Sequence, residues 1–381
     1  MNPFISVVIK PILACDLDCR HCYHRPEERV PSTITYEALD RLFRMLSEEF
    51  ESVWFIWHGG EPLMLPLQFY RYAIDLQNKY FGKGTHRVGN TIQTNGTAID
   101  RKFSNFCKEN QINIGVSFEG PCDGVLRQKC DLVDKNLTFL SKKEHIFSVS
   151  STIAAEDVGR QTELYRYFRG RDINVSFSPV VPMGCAADNR ELVPDADEYI
   201  AESIRMFDEW LYDKDTDIAL IPHYLYLLNA LGEPVDSDCA HNSCLTKWLC
   251  VYPNGDLYPC AKGCPSKYMM GNLFDIEAIS EAFAGGGFRE ILLGTIARRE
   301  KCKAECEIFR YCNGGCSMDA SCECGIENNG GDSCRIFKAV FTHIQKTVDD
   351  ILNEKPDLSQ YNRFVRDAIV GKLVNPKITS F

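Results

Sequence analysis

The sequence has no apolar run long enough to span a bilayer and no signal peptide at its N terminus. It opens Met1-Asn2-Pro3-Phe4 and passes straight into a β-like segment. Membrane insertion and secretion are set aside, and a cytoplasmic location is expected. Nor is there a basic run. The net charge is −11 over 381 residues, which argues against a protein that grips phosphate backbones over a broad surface. Neither nucleic acid nor membrane is expected among the partners. No internal repeat or low-complexity tract occurs. The length suits one large domain and a smaller one.

Cysteine is what the chain has in excess. There are 19, an odd number, which fits a closed disulfide set poorly. Without a signal peptide, metal or cluster ligation is the better reading. Their distribution says more than their number. Three lie between Cys15 and Cys22, twelve between Cys239 and Cys334, and only four in the long stretch between. Disulfide scaffolds do not usually segregate in this way, whereas two separate metal regions do.

The first two hundred residues alternate between β and α patterns. Strand-like runs fall at 5–12, 52–58, 87–94, 112–118, 146–152 and 173–180. Leu39, Leu42, Phe43, Leu46 and Phe50 follow helical spacing, with Thr35 as N-cap. Further helices are read at 67–80, 99–111 and 131–143. Six such βα units imply parallel strands with right-handed crossovers, and a parallel barrel puts its working groups at the C-terminal strand ends. Residues 191–210 read as a connecting helix and 336–352 as a late one. From about Ser237, Gly, Asn and Cys become frequent and periodicity weakens. That region is expected to lack a large apolar core and to depend on metal sites for its fold.

The first motif is Cys15-Asp-Leu-Asp-Cys19-Arg-His-Cys22-Tyr23, directly after the first strand. Three thiolates on a short loop can hold three irons of a [4Fe–4S] cluster and leave the fourth open. Zinc is the other reading, with His21 or His24 as a fourth ligand.

This CxxxCxxC spacing resembles the radical S-adenosylmethionine (SAM) superfamily. The resemblance implies an α/β fold, a partial (β/α)6 barrel followed by a small, loop-rich, cysteine-rich iron–sulfur domain and a C-terminal helix. It implies that Cys15, Cys19 and Cys22 hold a cluster whose open iron binds the amine and carboxylate of SAM. An electron from the cluster cleaves SAM to methionine and a 5′-deoxyadenosyl radical, which takes a hydrogen atom from the substrate. Gly59-Gly60-Glu61-Pro62 lies where the family has its GGEP segment against the SAM amino group. Backbone carbonyls and a carboxylate suit an ammonium, although Gly-Gly and Pro also make a plain turn. Gln93 and Asn95 end the third strand; Ser117 and Glu119 end the fourth. Both segments resemble those lining the SAM ribose and carboxylate, with Glu119 where the family more often has Asp. Arg127 corresponds to a downstream family arginine, and Tyr23 joins the SAM-binding set.

The second cysteine region resembles the SPASM domain, most visibly at Asn254-Gly255-Asp256-Leu257-Tyr258-Pro259-Cys260 and Cys312-Asn313-Gly314-Gly315-Cys316. The resemblance implies two auxiliary [4Fe–4S] clusters, one on Cys239, Cys244, Cys260 and Cys316, the other on Cys302, Cys306, Cys312 and Cys334. Cys302 and Cys306 are separated by three residues where the family usually has two. Zinc ribbons are the other reading of this region. Cys250, Cys264, Cys322 and Cys324 are left over, and Cys107, Cys122, Cys130 and Cys185 read as apolar fillers. The expected domains are 1–205 (barrel), 206–236 (bridge), 237–340 (SPASM) and 341–381 (helical tail).

SPASM-containing relatives act mostly on peptides or proteins. Anaerobic sulfatase maturases carry an Asp after the cysteine of the Y-P-C motif as the proposed general base. Ala261 stands there and cannot take a proton; Asp256 lies nearby but at another position. The Trp57-His58-Gly59-Gly60-Glu61-Pro62-Leu63 stretch also resembles that of peptide-cyclising enzymes. The expectation is therefore a maturase that cross-links a ribosomally made precursor peptide through a carbon–carbon or thioether bond. Formylglycine formation by a sulfatase maturase and a non-enzymatic electron-transfer protein are the alternatives. Expected cofactors are three [4Fe–4S] clusters and SAM. Expected partners are the precursor peptide and an electron donor such as flavodoxin or ferredoxin. Because Cys15 leaves no room ahead of it for a leader-binding domain, the leader is expected either to dock on the barrel or bridging region or to be bound by a separate leader-binding protein. No catalytic residue is nominated.

Overall fold

A computed structural model describes residues 4–82, 86–121, 126–233, 235, 244–262 and 265–374. The strands are β1 (Ile5–Ile12), β2 (Ser52–Gly59), β3 (Arg87–Thr94), β4 (Ile112–Ser117), β5 (Phe147–Ile153), β6 (Val175–Pro179), β7 (Leu220–Ile221), β8 (Trp248–Val251), β9 (Asp256–Tyr258) and β10 (Gly271–Asn272). Between the first six run α1 (Tyr36–Glu49), α2 (Leu67–Phe81), α3 (Arg101–Glu109), α4 (Cys130–Lys142) and α5 (Gln161–Arg169). The alternating pattern thus folds as its periodicity predicts. Thr35 caps α1 by accepting a hydrogen bond from the Ala38 amide, and Asp100 caps α3 through the Phe103 amide. The α1 residues Leu39, Leu42, Phe43 and Leu46 are buried, a single stripe that the 3.6-residue period places against the sheet.

The chain divides into two compact units. The first holds Met1–Phe147, Met183–Asp188 and Ser243–Gly294. Its strands lie in the order β10-β9-β8-β1-β2-β3-β4. Strand β1 is parallel to both β2 and β8, β2 to β3 and β3 to β4, while β8, β9 and β10 pair antiparallel. All eight residues of β1 are buried, as befits a strand with neighbours on both edges and cover on both faces. The second unit holds Ser148–Pro182, Asn189–Asn242 and Thr295–Phe381, with β5, β6 and β7 parallel. Here the helices Ala196–Tyr212, His223–Ala230 and Asp332–Glu354 pack together. The His343 Nε2–Asp208 Oδ1 hydrogen bond, 2.7 Å, and the edge-on Phe207–His343 contact tie two of them.

This division differs from the one read from cysteine content. Residues 248–258 form strands that extend the sheet from β1, and Leu249, Cys250, Val251, Leu257, Tyr268 and Leu273 are buried. The late region therefore adds buried apolar residues to the core of the first unit, at positions where periodicity looked weak. Strands of two to four residues are too short to show alternation. The helix Gly286–Glu305, which carries Cys302, was likewise not read from the sequence. Among the described residues no helix is long and apolar enough to cross a membrane.

Candidate functional site

Strand β1 delivers the chain to the cysteine loop. Cys19 is buried within electrostatic reach of Cys22 and Cys15, and burial pushes its thiol up to about 11. Burial raises Cys15 as well. Such thiols stay protonated in an apolar loop until metal ligation removes the proton. Two donors point at the sulfurs. Asn95 Nδ2 donates to Cys15 Sγ at 3.7 Å and Arg127 Nη1 to Cys19 Sγ at 3.5 Å. Donors of this kind favour the thiolate and tune an iron–sulfur centre. A zinc ion needs four ligands in one coordination sphere. Among the described residues no three Cys, His, Asp or Glu side chains are gathered that closely. A cube of four irons takes one thiolate per iron; Cys15 and Cys22 both lie within electrostatic reach of Cys19, and the three would supply three of the four ligands.

The Gly-Gly-Glu-Pro segment meets this loop through its backbone. Gly60 N–H donates to Ile12 O at 2.9 Å and Glu61 N–H to Ala14 O at 2.8 Å. A Cβ on Gly60 would lie 2.1 Å from Ala14 O, and Gly59 has φ +107°. The glycines are there because nothing larger lets the end of β2 approach the loop. Glu61 is fully buried, and burial raises its carboxyl to about 7. Its carboxylate accepts from Leu63 N–H (2.9 Å), Thr94 Oγ1 (2.7 Å) and Asn95 N–H (2.7 Å). Three of its roughly four acceptor positions are taken. It clamps the end of β2 to the end of β3, and the atoms best placed for an ammonium are backbone carbonyls. Pro62 begins a single turn of 3-10 helix, and its carbonyl accepts from Tyr70 Oη at 2.7 Å.

The remaining expected SAM residues fall into two groups. Gln93 Nε2 donates to Ser117 Oγ at 3.0 Å across β3 and β4. Gly115 leaves the space that the Gln93 amide occupies, since a Cβ there would lie 2.1 Å from Gln93 Oε1. Arg127 grips Glu119 with two bonds, Nε to Oε2 at 2.6 Å and Nη2 to Oε1 at 2.9 Å. Burial would push the Glu119 carboxyl up, but the guanidinium overrides it and holds it below the usual carboxylate range. The extra methylene of Glu relative to Asp is what this fork closes on. A cavity of about 420 Å³ opens beside Cys15, lined further by Asp16, Leu17, Asp18, Arg29, Gln128 and Lys129. Asp16 bridges it, bonded by Lys129 Nζ, Asn95 Nδ2 and Thr97 Oγ1 at 2.7–2.9 Å.

Sequence reading missed a buried polar chain behind the loop. Lys10 is wholly buried; its Nζ donates to Tyr252 Oη at 2.9 Å and lies 3.2 Å from His24 Nε2. Tyr23 Oη donates to His58 Nδ1 at 3.1 Å, which also accepts from Gly59 N–H at 2.8 Å. Nδ1 is thus unprotonated, and burial lowers the His58 imidazole to about 3. Tyr23 also lies within electrostatic reach of Cys22 and Cys260. The available signal was the lysine in the apolar run Ile5–Ile12. Asp256, by contrast, is spent on a turn, accepting from Asn254 and Asn272. Ala261 is half-buried beside Cys260.

Of the first expected auxiliary set, Cys239 lies outside the described residues; Cys244 and Cys260 lie in the first unit and Cys316 in the second. The second set comes together within one unit. Burial pushes the Cys312 thiol up to about 12, with Cys334, Cys302 and Cys306 all within electrostatic reach of it. Cys302 is raised by burial and by Cys334 and Cys306. The extra residue between Cys302 and Cys306 is absorbed by a helical turn: the Cys306 amide donates to Cys302 O at 2.8 Å. The four fit a fully ligated cluster. Two expected fillers are corrected. Cys130 is disulfide-bonded, and Cys185 accepts from Arg29 Nη2 at 3.2 Å while its amide donates to Cys22 O at 2.8 Å. Cys107 is buried and apolar in its setting, as expected. Cys122 and Cys264 lie outside the described residues.

Residues 9–134 match the Radical SAM superfamily. A cysteine-type anaerobic sulfatase-maturating enzyme of Clostridium perfringens is 26% identical over 92% of this chain and 99% of its own length. A serine-type enzyme of Bacteroides thetaiotaomicron is 25% identical over 92% of each chain. The solved structure of anSMEcpe with bound AdoMet and Cp18Cys peptide matches with a TM-score of 0.77 at 23% identity, covering 93% of this chain and all of that one. Streptococcus suis SuiB bound to precursor peptide SuiA matches less well, with a TM-score of 0.59 at 16% identity over 88% of this chain and 76% of that one. These full-length matches overturn the expectation of peptide cross-linking. It rested on Ala261 and on the Trp57–Leu63 stretch, two local features, whereas the C. perfringens and B. thetaiotaomicron relatives that resemble the chain from end to end are sulfatase-maturating enzymes. The radical SAM reading of the cysteine loop stands: the chain carries a radical SAM domain over residues 9–134.

Proposed function

We propose that the chain is a sulfatase-maturase-type radical SAM enzyme that oxidises a Cys or Ser side chain of a protein substrate to formylglycine. The observation that carries this reading is similarity along the whole length: 99% of the C. perfringens cysteine-type enzyme is covered. Bound SAM and a reduced cluster supply a carbon radical that removes a hydrogen atom from the substrate. Cys15, Cys19 and Cys22 would hold that cluster. The Gly59–Gly60 carbonyls, Gln93, Asn95, Ser117 and the Glu119–Arg127 pair would orient SAM, and Tyr23 would close the floor of the site. The chain's own part is to fix geometry and keep water out.

The second cysteine region would hold two further clusters in the SPASM manner, on Cys239, Cys244, Cys260 and Cys316 and on Cys302, Cys306, Cys312 and Cys334. An electron donor of the flavodoxin or ferredoxin class is the expected partner. The carbon radical would take one hydrogen atom from the substrate Cβ, an auxiliary iron–sulfur cluster would take the remaining electron, and the thiol or hydroxyl would give up its proton, which together leave a thioaldehyde or an aldehyde; water would convert the thioaldehyde to the aldehyde with release of hydrogen sulfide. Because Ala261 replaces the acidic residue of the maturases, the proton goes to another group.

The test is incubation of anaerobically reconstituted protein with SAM, reductant and two peptides that differ only in Cys or Ser at the target position. A hydrazide-reactive aldehyde on at least one peptide is expected. SAM cleavage with no aldehyde on either would overturn the proposal.

A further inference from the structure

A buried cation sits among the late cysteines with no carboxylate partner among the described residues. Arg298 is 2% exposed on the helix Gly286–Glu305, one turn before Cys302 and so on the same helix face. All its bonds go to neutral oxygens. Nε donates to Gly314 O at 2.9 Å, Nη1 to Ile326 O, and Nη2 to Ser317 Oγ at 3.0 Å and Gly315 O at 3.4 Å. The guanidinium lies within electrostatic reach of Cys316, Cys302, Cys324 and Cys312. Among the described residues it meets no carboxylate within ion-pair distance.

A buried charge without a counter-ion is strongly unfavourable. An arginine cannot escape that cost by losing its proton. The cysteines supply no charge while they are thiols. Metal ligation makes them thiolates, and only then does the guanidinium have partners. The fork also spans the segments that carry the ligands. It fastens the Gly314–Gly315 turn between Cys312 and Cys316 and the chain at Ile326 to the helix that bears Cys302.

We propose that Arg298 is the counter-cation of the auxiliary cluster on Cys302, Cys306, Cys312 and Cys334, a positioning residue that neutralises its thiolate charge and sets its reduction potential. The inference rests on the auxiliary-cluster part of the reading above. A cation beside a cluster favours the added electron, because net charge is one of the determinants of potential. Arg298→Gln removes the charge, and Arg298→Lys keeps it while giving up the fork.

The experiment uses the full chain carrying Cys15→Ala, Cys19→Ala and Cys22→Ala, so that only auxiliary iron remains. About eight irons are expected in this background. A redox titration followed by EPR should show R298Q reduced only at a more negative potential, with iron lost several-fold faster to a chelator. R298K should keep the potential with a lower melting temperature, and R299Q, at the half-buried neighbour, should keep both. Equal potentials and chelator resistance in R298Q and R298K would overturn the assignment. If R298Q does not fold, R298K decides: a potential shifted from that of Arg298 at full iron content would overturn it. Absence of iron from the triple-alanine background would instead remove the auxiliary-cluster reading, and this inference with it.

Discussion

At the scale of single residues, the site depends on close backbone approach and on one buried ion pair. Gly60 faces the carbonyls of Leu13 and Ala14 at distances that admit no side chain. Gly60→Ala should therefore push the cysteine loop away and cost about four of the irons, measured as iron and labile sulfide after reconstitution, with the auxiliary clusters retained. Arg127→Gln leaves Glu119 buried beside Cys19 without its partner. A loss of about 3–5 kcal/mol of stability is expected, read from denaturant unfolding, together with weaker SAM binding. The sequence made the cysteine loop and the Gly-Gly turn legible, because both are local patterns. It did not disclose that the Glu61 carboxylate is consumed by Thr94 and Asn95, since that bond joins strand ends 33 residues apart. Nor did it disclose why Glu replaces Asp at 119: a fork to Arg127 is a tertiary fact.

At the scale of elements, the βα alternation was readable because each helix buries one stripe and each strand is long enough for its pattern to register. Strands β8 to β10 were not, being two to four residues long. Their place beside β1 depends on partners about 240 residues away in sequence. Lys10 on β1 is the clearest local clue that was passed over. The helix Asp332–Glu354 brings Cys334 in at its first turn, where orphan amide donors favour a thiolate. Cys334→Ala should remove about four irons and leave those of the Cys15–Cys22 loop in place, which EPR of the SAM-bound cluster would confirm.

At the scale of the whole molecule, a buried histidine makes stability depend on pH. His223 is buried, bonded through Nε2 to Ser203 Oγ at 2.8 Å, and burial lowers it to about 4. The unfolded chain takes up this proton near pH 6.5, the folded chain only near 4, so stability is intact above 6.5 and falls as pH drops through that window. Between pH 7 and 5 the loss from this group should be about 2 kcal/mol. It should vanish in His223→Phe, measured as denaturation midpoints at the two pH values. The proposal that this chain takes a hydrogen atom from the Cβ of a Cys or Ser side chain is tested most directly by isotope transfer. Peptides deuterated at the target Cβ are turned over with SAM and reductant, and the 5′-deoxyadenosine is analysed by mass spectrometry. Deuterium in the nucleoside, matched by aldehyde in the peptide, is the predicted result. Nucleoside free of deuterium, with both peptides unchanged, would contradict it.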